Sequence, residues 1–382
     1  MTSKRSGKTA ADAAPGRSRR AIFILIVIAI IAIPAVILLL RIYTLAEPYL
    51  NQPTGVIVKP VFLEQQSHYY IYDGDIGHIH RPEARMEVAW EEHPLGRIVM
   101  QTNNLGFRED KETEEDKEDN VVRILVTGDS HIDGTVNNLE SFPNRLEALL
   151  NQSGEPFRFE VLNGGTGFYG PQHYARFLSK YDYLNPDAFI VVMYTGNDFL
   201  DAVRTESLKD SSMAAGRDFG AWDRLRYFGR LAAARRVYHG AVGQGLNQAF
   251  FFKHFPGMKQ TSLAVTRQEI ERMRERCLAR GIDFYLVLLP PRWEVEDCDM
   301  GWCFKLTRLV LWLSGEDLGV NRELRDSLAI WLDRNHIDYM DFADHEDHDP
   351  GRPLFWEADC HLSVYGHSML AEAMHRRFNP SR

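Results

Sequence analysis

The chain has 382 residues, 45% of them hydrophobic and 25% charged, which leaves room for one large domain with appendages. A formal net charge of −9 argues against a nucleic-acid binder, which carries a basic face. Part of that acidity is the run EDKETEEDKED at residues 109–119, which reads as a solvated loop or helix face.

Residues 21–40, AIFILIVIAIIAIPAVILLL, form an uncharged apolar run. At a rise of about 1.5 Å per residue, such a run spans a hydrocarbon core of about 30 Å. Lys4, Arg5, Lys8, Arg17, Arg19 and Arg20 precede it, and Arg41 is nearly alone after it until Lys59. The excess of cations on that side puts the tail 1–20 in the cytoplasm and everything after the run across the membrane. The expectation is a single-pass anchor in a cell inner membrane with a periplasmic or extracellular domain. A cleavable signal peptide ending near Thr44-Leu45-Ala46 competes, but the apolar run is longer than signal peptides use.

Residues 41–120 read as a juxtamembrane region of mixed character. Beyond them, short apolar runs alternate with helical spacing. Strands are expected at 121–129, 157–163, 187–196, 282–290 and, more weakly, 336–342. Helices are expected at 140–150, 171–181, 261–281 and 364–377. Strands apolar on both faces that alternate with helices imply an α/β fold, a mostly parallel sheet covered on both sides. Residues 201–260 interrupt the alternation with short aromatic helical pieces and read as a helical insertion; its plain reading is packing, and a lid or membrane-facing element is the sharper one. In such sheets ligands bind beyond the carboxyl ends of the strands, and each motif below lies at one of those ends.

Gly128-Asp129-Ser130-His131 follows the first strand. A serine at a strand-to-helix turn exposes its hydroxyl where backbone N–H groups stabilise negative charge; the plainer reading is a helix cap. Thr195-Gly196-Asn197-Asp198 follows the third strand and offers a neutral side-chain donor to an oxyanion. Asp359-Cys360-His361-Leu362-Ser363 places a base and a carboxylate on one loop, with Glu357 as an alternative partner for the histidine. Asn163-Gly164-Gly165-Thr166-Gly167-Phe168-Tyr169-Gly170 follows the second strand. Its glycines also fit G-x-G-x-x-G, but a dinucleotide fingerprint follows the first strand of its fold.

In this order, serine first, then the glycine loop, the asparagine and the acid–histidine pair, the chain resembles the SGNH (GDSL-like) hydrolase and acyltransferase superfamily. The element Asn103-Asn104-Leu105-Gly106-Phe107-Arg108 resembles one that precedes the serine strand in a subset of that superfamily. The resemblance spans about residues 102–375 with 201–260 unmatched. It implies a flavodoxin-like three-layer sandwich over 121–378 with a mostly parallel five-stranded sheet. It assigns catalysis to Ser130, His361 and Asp359, and the oxyanion hole to Asn197 and a backbone N–H at Gly167. Two departures stand out: D-x-H replaces the commoner D-x-x-H, and Phe168 stands where relatives often have glycine.

The resemblance implies a serine-dependent esterase that needs no metal or cofactor and acts on an acylated carbohydrate or lipid of the cell envelope. An O-acyltransferase would use the same residues, and a non-catalytic envelope protein on the same fold is the third reading. His367 reads as helix packing or surface. The run at 344–349, DHEDHD, reads as a solvated loop rather than a metal site. Of the four cysteines, Cys298 and Cys303 flank a loop short enough to be bridged.

Overall fold

The computed structural model describes residues 68–152, 156–209, 219–238, 240, 245–296, 300–344, 349, 351–357, 359 and 361–378. The apolar run at 21–40 lies outside them, and among the described residues no helix is long and apolar enough to cross a membrane.

Two antiparallel hairpins come first, β1 (Tyr70–Asp73) with β2 (Gly77–His80), and β3 (Arg85–Ala89) with β4 (Arg97–Gln101). The alternating units follow: β5 (Val121–Gly128), the single turn α1 (Ser130–Asp133), α2 (Phe142–Gln152), β6 (Arg158–Asn163), α3 (Pro171–Tyr181) and β7 (Ala188–Tyr194). Helices α4 (Asp198–Lys209), α5 (Ala221–Val237) and α6 (Asn247–His254) follow, and α7 (Met258–Arg280) leads to β8 (Asp283–Leu289). Then come α8 (Arg292–Val295), α9 (Gly301–Val310), α10 (Gly315–Leu318), α11 (Val320–Arg334), β9 (Tyr339–Asp341) and α12 (Val364–Arg377).

Strands β5–β9 form one five-stranded sheet in the order β6-β5-β7-β8-β9, with every pairing parallel. Successive strands are joined through helices, as a parallel sheet requires. One face is covered by α2 and α12, whose Phe142, Leu146, Leu150, Leu370 and Met374 pack on Ile124, Val126, Val161 and Ile190. On the other face Phe177 of α3 stacks on Phe189 of β7, with ring centroids 6.4 Å apart. Leu146 is fully buried, so truncating it to alanine costs about 2–5 kcal/mol.

The chain runs from β5 outward to the edge strand β6, then back to β7 on the other side of β5. That reversal opens a crevice at the carboxyl ends of β5 and β7, between diverging connections. Ser130 follows β5 and Asn197 follows β7, so both border the crevice.

The hairpins were not legible in the sequence, and neither were the helices between 292 and 334. The acidic run also differs from its reading at one end. Glu109 is buried, accepts hydrogen bonds from the Asn163 amide at 3.0 Å and the Asn144 side chain at 3.3 Å, and is pushed up by burial to about 8.

Candidate active site

Asp129 follows β5 in extended backbone and caps α1, its Oδ1 accepting from the His131 N–H at 2.9 Å. Ser130 therefore opens the turn, where the first N–H groups of a helix have no partner within it. Asp129 does more than cap: its Oδ2 accepts from Asn197 Nδ2 at 3.2 Å, joining the end of β5 to that of β7. Asp129 is buried, which raises its carboxyl to about 6 against the hydrogen bond from His131, the charge of His361 and the Asn197 bond.

The histidine arrives from the far end of the chain. Residues 354–363 fold back on themselves: Phe355 bridges Leu362, the Trp356 N–H donates to the His361 carbonyl at 2.7 Å, and the Ser363 N–H to the Leu354 carbonyl at 2.8 Å. Ser363 caps α12 by accepting from the Gly366 N–H at 3.1 Å, while its hydroxyl donates to the Pro353 carbonyl at 2.7 Å. Glu296, beyond β8, holds the other side by accepting from the Leu354 and Phe355 amides at 2.6 and 3.1 Å.

This loop sets His361 Nε2 2.8 Å from Ser130 Oγ. His361 Nδ1 is hydrogen-bonded to Asp359 Oδ2. A carboxylate can only accept, so Nδ1 carries the proton and Nε2 is left as acceptor for the serine hydroxyl. Burial alone would depress the imidazolium, but the charge and hydrogen bond of Asp359, with Asp129 and Asp133 behind, raise His361 above its ordinary 6.5. Glu357 is not at the histidine; its amide and carbonyl bond Glu92 and Tyr238.

Asp133, which closes the same turn, was missed by sequence reasoning. It is buried and accepts from the Tyr70 hydroxyl at 2.6 Å, with His80 Nε2 at 3.3 Å and Arg108 at 3.8 Å. Burial would raise its carboxyl, but His80, Arg108 and Tyr70 together hold it below the usual carboxylate range. Arg108, the last residue of the Asn103–Arg108 element, also donates to the carbonyls of Gly134 and Val136, each at 2.7 Å, and to Asn138 Oδ1. The element thus has a legible purpose: it clamps the loop that leaves the serine turn. Hairpin β1–β2 belongs to the same assembly, because His78 Nε2 donates to the Gly167 carbonyl at 2.8 Å.

The glycine loop fits closely against this turn. A Cβ on Gly165 would stand 2.5 Å from the backbone of Ile132 and Asp133, so no other residue is accommodated there. Gly167 differs from its expected role. Its N–H, read as an oxyanion donor, is directed at Asp133 Oδ2 at 3.3 Å, drawn by that buried charge. Its bare α-carbon lines the site instead, where a Cβ would lie 4.0 Å from Ser130 Cβ. Phe168 beside it has φ +66°, a left-handed backbone that disfavours bulky residues, with its ring 46% exposed.

His367 is packing rather than surface. It is buried, accepts from the Phe142 N–H at 3.0 Å, and is depressed to about 3 by burial with Arg108 and Arg145. Cys277 and Cys303 are free thiols, buried and exposed respectively, while Cys298, Cys360 and residues 345–348 lie outside the described residues. Among the described residues no cluster of histidine, cysteine and carboxylate side chains could hold a metal ion.

No family model matches the sequence, and no curated protein matches it. Among solved structures, an acetyl xylan esterase is similar over 68% of this chain and 100% of its own, at 14% identity and a TM-score of 0.38. A carbohydrate acetylesterase family member from Sinorhizobium meliloti is similar over 67% of this chain and 96% of its own, at 12% identity and a TM-score of 0.34. A member of the lipolytic protein G-D-S-L family from Veillonella parvula is similar over 67% and 98%, at 13% identity and a TM-score of 0.34. At such low identity and overlap they assign no activity to this chain.

Proposed function

We propose that the protein is a serine-dependent ester hydrolase of the SGNH type, with Ser130 as nucleophile, His361 as general base and Asp359 as its orienting acid. The observation that carries this reading is the 2.8 Å approach of His361 Nε2 to Ser130 Oγ, with Nδ1 held by Asp359. That is the arrangement an activated serine requires.

In the proposed reaction the Ser130 hydroxyl proton passes to His361 Nε2 as Oγ attacks an acyl carbonyl. The oxyanion is received by the Ser130 N–H and by the Asn197 Nδ2 proton not given to Asp129. His361 then protonates the leaving alcohol, and water, activated by the same histidine, releases the acid. The substrate class we favour is an acyl ester of a cell-envelope carbohydrate or lipid. It rests on the apolar run at 21–40, read as an anchor that carries the domain across a membrane.

The test is hydrolysis of p-nitrophenyl acetate by the full chain and by Ser130→Ala, with and without an oligosaccharide acceptor. Nitrophenol release that is lost in Ser130→Ala supports the esterase, and acetylated oligosaccharide would replace it by a transferase. Release that survives the substitution would remove Ser130 from the mechanism.

A further inference from the structure

Helix α9 carries apolar residues on an inner and an outer stripe. Phe304, Thr307 and Leu311, three and four residues apart, are buried against the protein. On the opposite stripe Trp302 and Leu309 are 73% and 66% exposed, and Trp312 just beyond the helix is 66% exposed. An outer stripe of two tryptophans and a leucine calls for a cover.

Cations outnumber acids around the stripe, where Asp317 of α10 is paired with Lys253 at 2.8 Å. Helix α9 carries Lys305 and Arg308 and no acid. The Arg230 guanidinium of α5 lies over the Trp312 ring at 3.6 Å. Helix α5 packs beside α9 and adds the exposed Arg226, four residues before Arg230 on the same side of its helix. In a chain of net charge −9, this is a local reversal.

We infer that this face rests on an anionic lipid bilayer, with Trp302, Leu309 and Trp312 entering the headgroup boundary and the cations meeting lipid phosphates. Tryptophan suits that boundary because its ring is apolar and its N–H is polar, and basic side chains add attraction to anionic lipid. A second copy is a poor cover, since a two-fold contact through this face would bring like charges together. The chain outside the described residues adds proximity: residues 41–67 between the apolar run and the domain reach at most about 97 Å when fully extended. The inference does not depend on the esterase reading.

The experiment uses the full chain in phosphatidylcholine nanodiscs, with or without phosphatidylglycerol, carrying bromine on the acyl chains to quench tryptophan fluorescence. The expected result is stronger quenching in the anionic discs, weakened by high salt and largely lost in the variant Trp302→Ser/Trp312→Ser. Equal quenching of variant and parent, or no dependence on lipid charge, would overturn the inference. So would a dimer in detergent that the variant abolishes, because a second copy would then cover the face. Should the double variant fail to fold, a polarity-sensitive dye on Cys303, exposed on the same helix and left as the sole thiol, replaces it. A blue shift only on anionic discs supports the inference, and an unchanged spectrum overturns it.

Discussion

The Tyr70 hydroxyl donates to Asp133 Oδ2 at 2.6 Å, joining the first hairpin of the described chain to the turn that begins with Ser130. Because Asp133 is buried, the bond is made in a medium that strengthens it. Tyr70→Phe removes the donor and leaves a buried carboxylate under-satisfied. It should lower stability by about 1.5–3 kcal/mol, read as a fall in the urea midpoint at constant slope.

The raised His361 sets a pH profile. A general base must be neutral, so kcat/KM for ester hydrolysis should fall as pH drops, with its acid midpoint above 6.5. Asp359→Asn removes the leading charge that opposes burial; the midpoint should move to lower pH while kcat falls. The sign for stability follows the same shift. A histidine raised on folding contributes stability that is complete below 6.5 and lost as pH rises through its folded value. A midpoint unmoved by Asp359→Asn would remove Asp359 from the role.

Arg108 is fully buried and satisfies two carbonyls and a side-chain amide on the loop leaving the serine turn. Arg108→Ala strands those acceptors beside Asp133 and should cost about 3 kcal/mol or more. Lysine cannot reproduce the fork geometry, so Arg108→Lys should recover little of the loss in a thermal or urea unfolding series.

Phe168 holds a left-handed backbone at φ +66°. That conformation costs an ordinary residue about 1–2 kcal/mol, and glycine regains it less its own chain entropy of about 0.5–1 kcal/mol. Phe168→Gly should therefore leave stability unchanged or raise it by up to about 1.5 kcal/mol. A clear fall in the unfolding midpoint would show that the ring contributes packing worth more than the strain.

The alternating architecture is legible without the fold, because apolar strands and helical spacing are local patterns. Val121–Gly128, Pro171–Tyr181 and Ala188–Tyr194 fall within or on the expected ranges. The sequence also singled out Ser130, Asn197 and His361, each at the end of an apolar strand or before a terminal helix. What those residues touch depends on how distant segments pack. Asp359 rather than Glu357 reaches His361 because residues 354–363 turn back on themselves, a path fixed by Glu296 from another strand end. Hairpin β1–β2, with four-residue strands, is too short to stand out as a pattern, and it is held by Tyr70 and His78 reaching more than sixty residues away. The Gly167 amide turned to Asp133 for the same reason: a buried charge draws donors from wherever the fold brings them, and no local spacing records that.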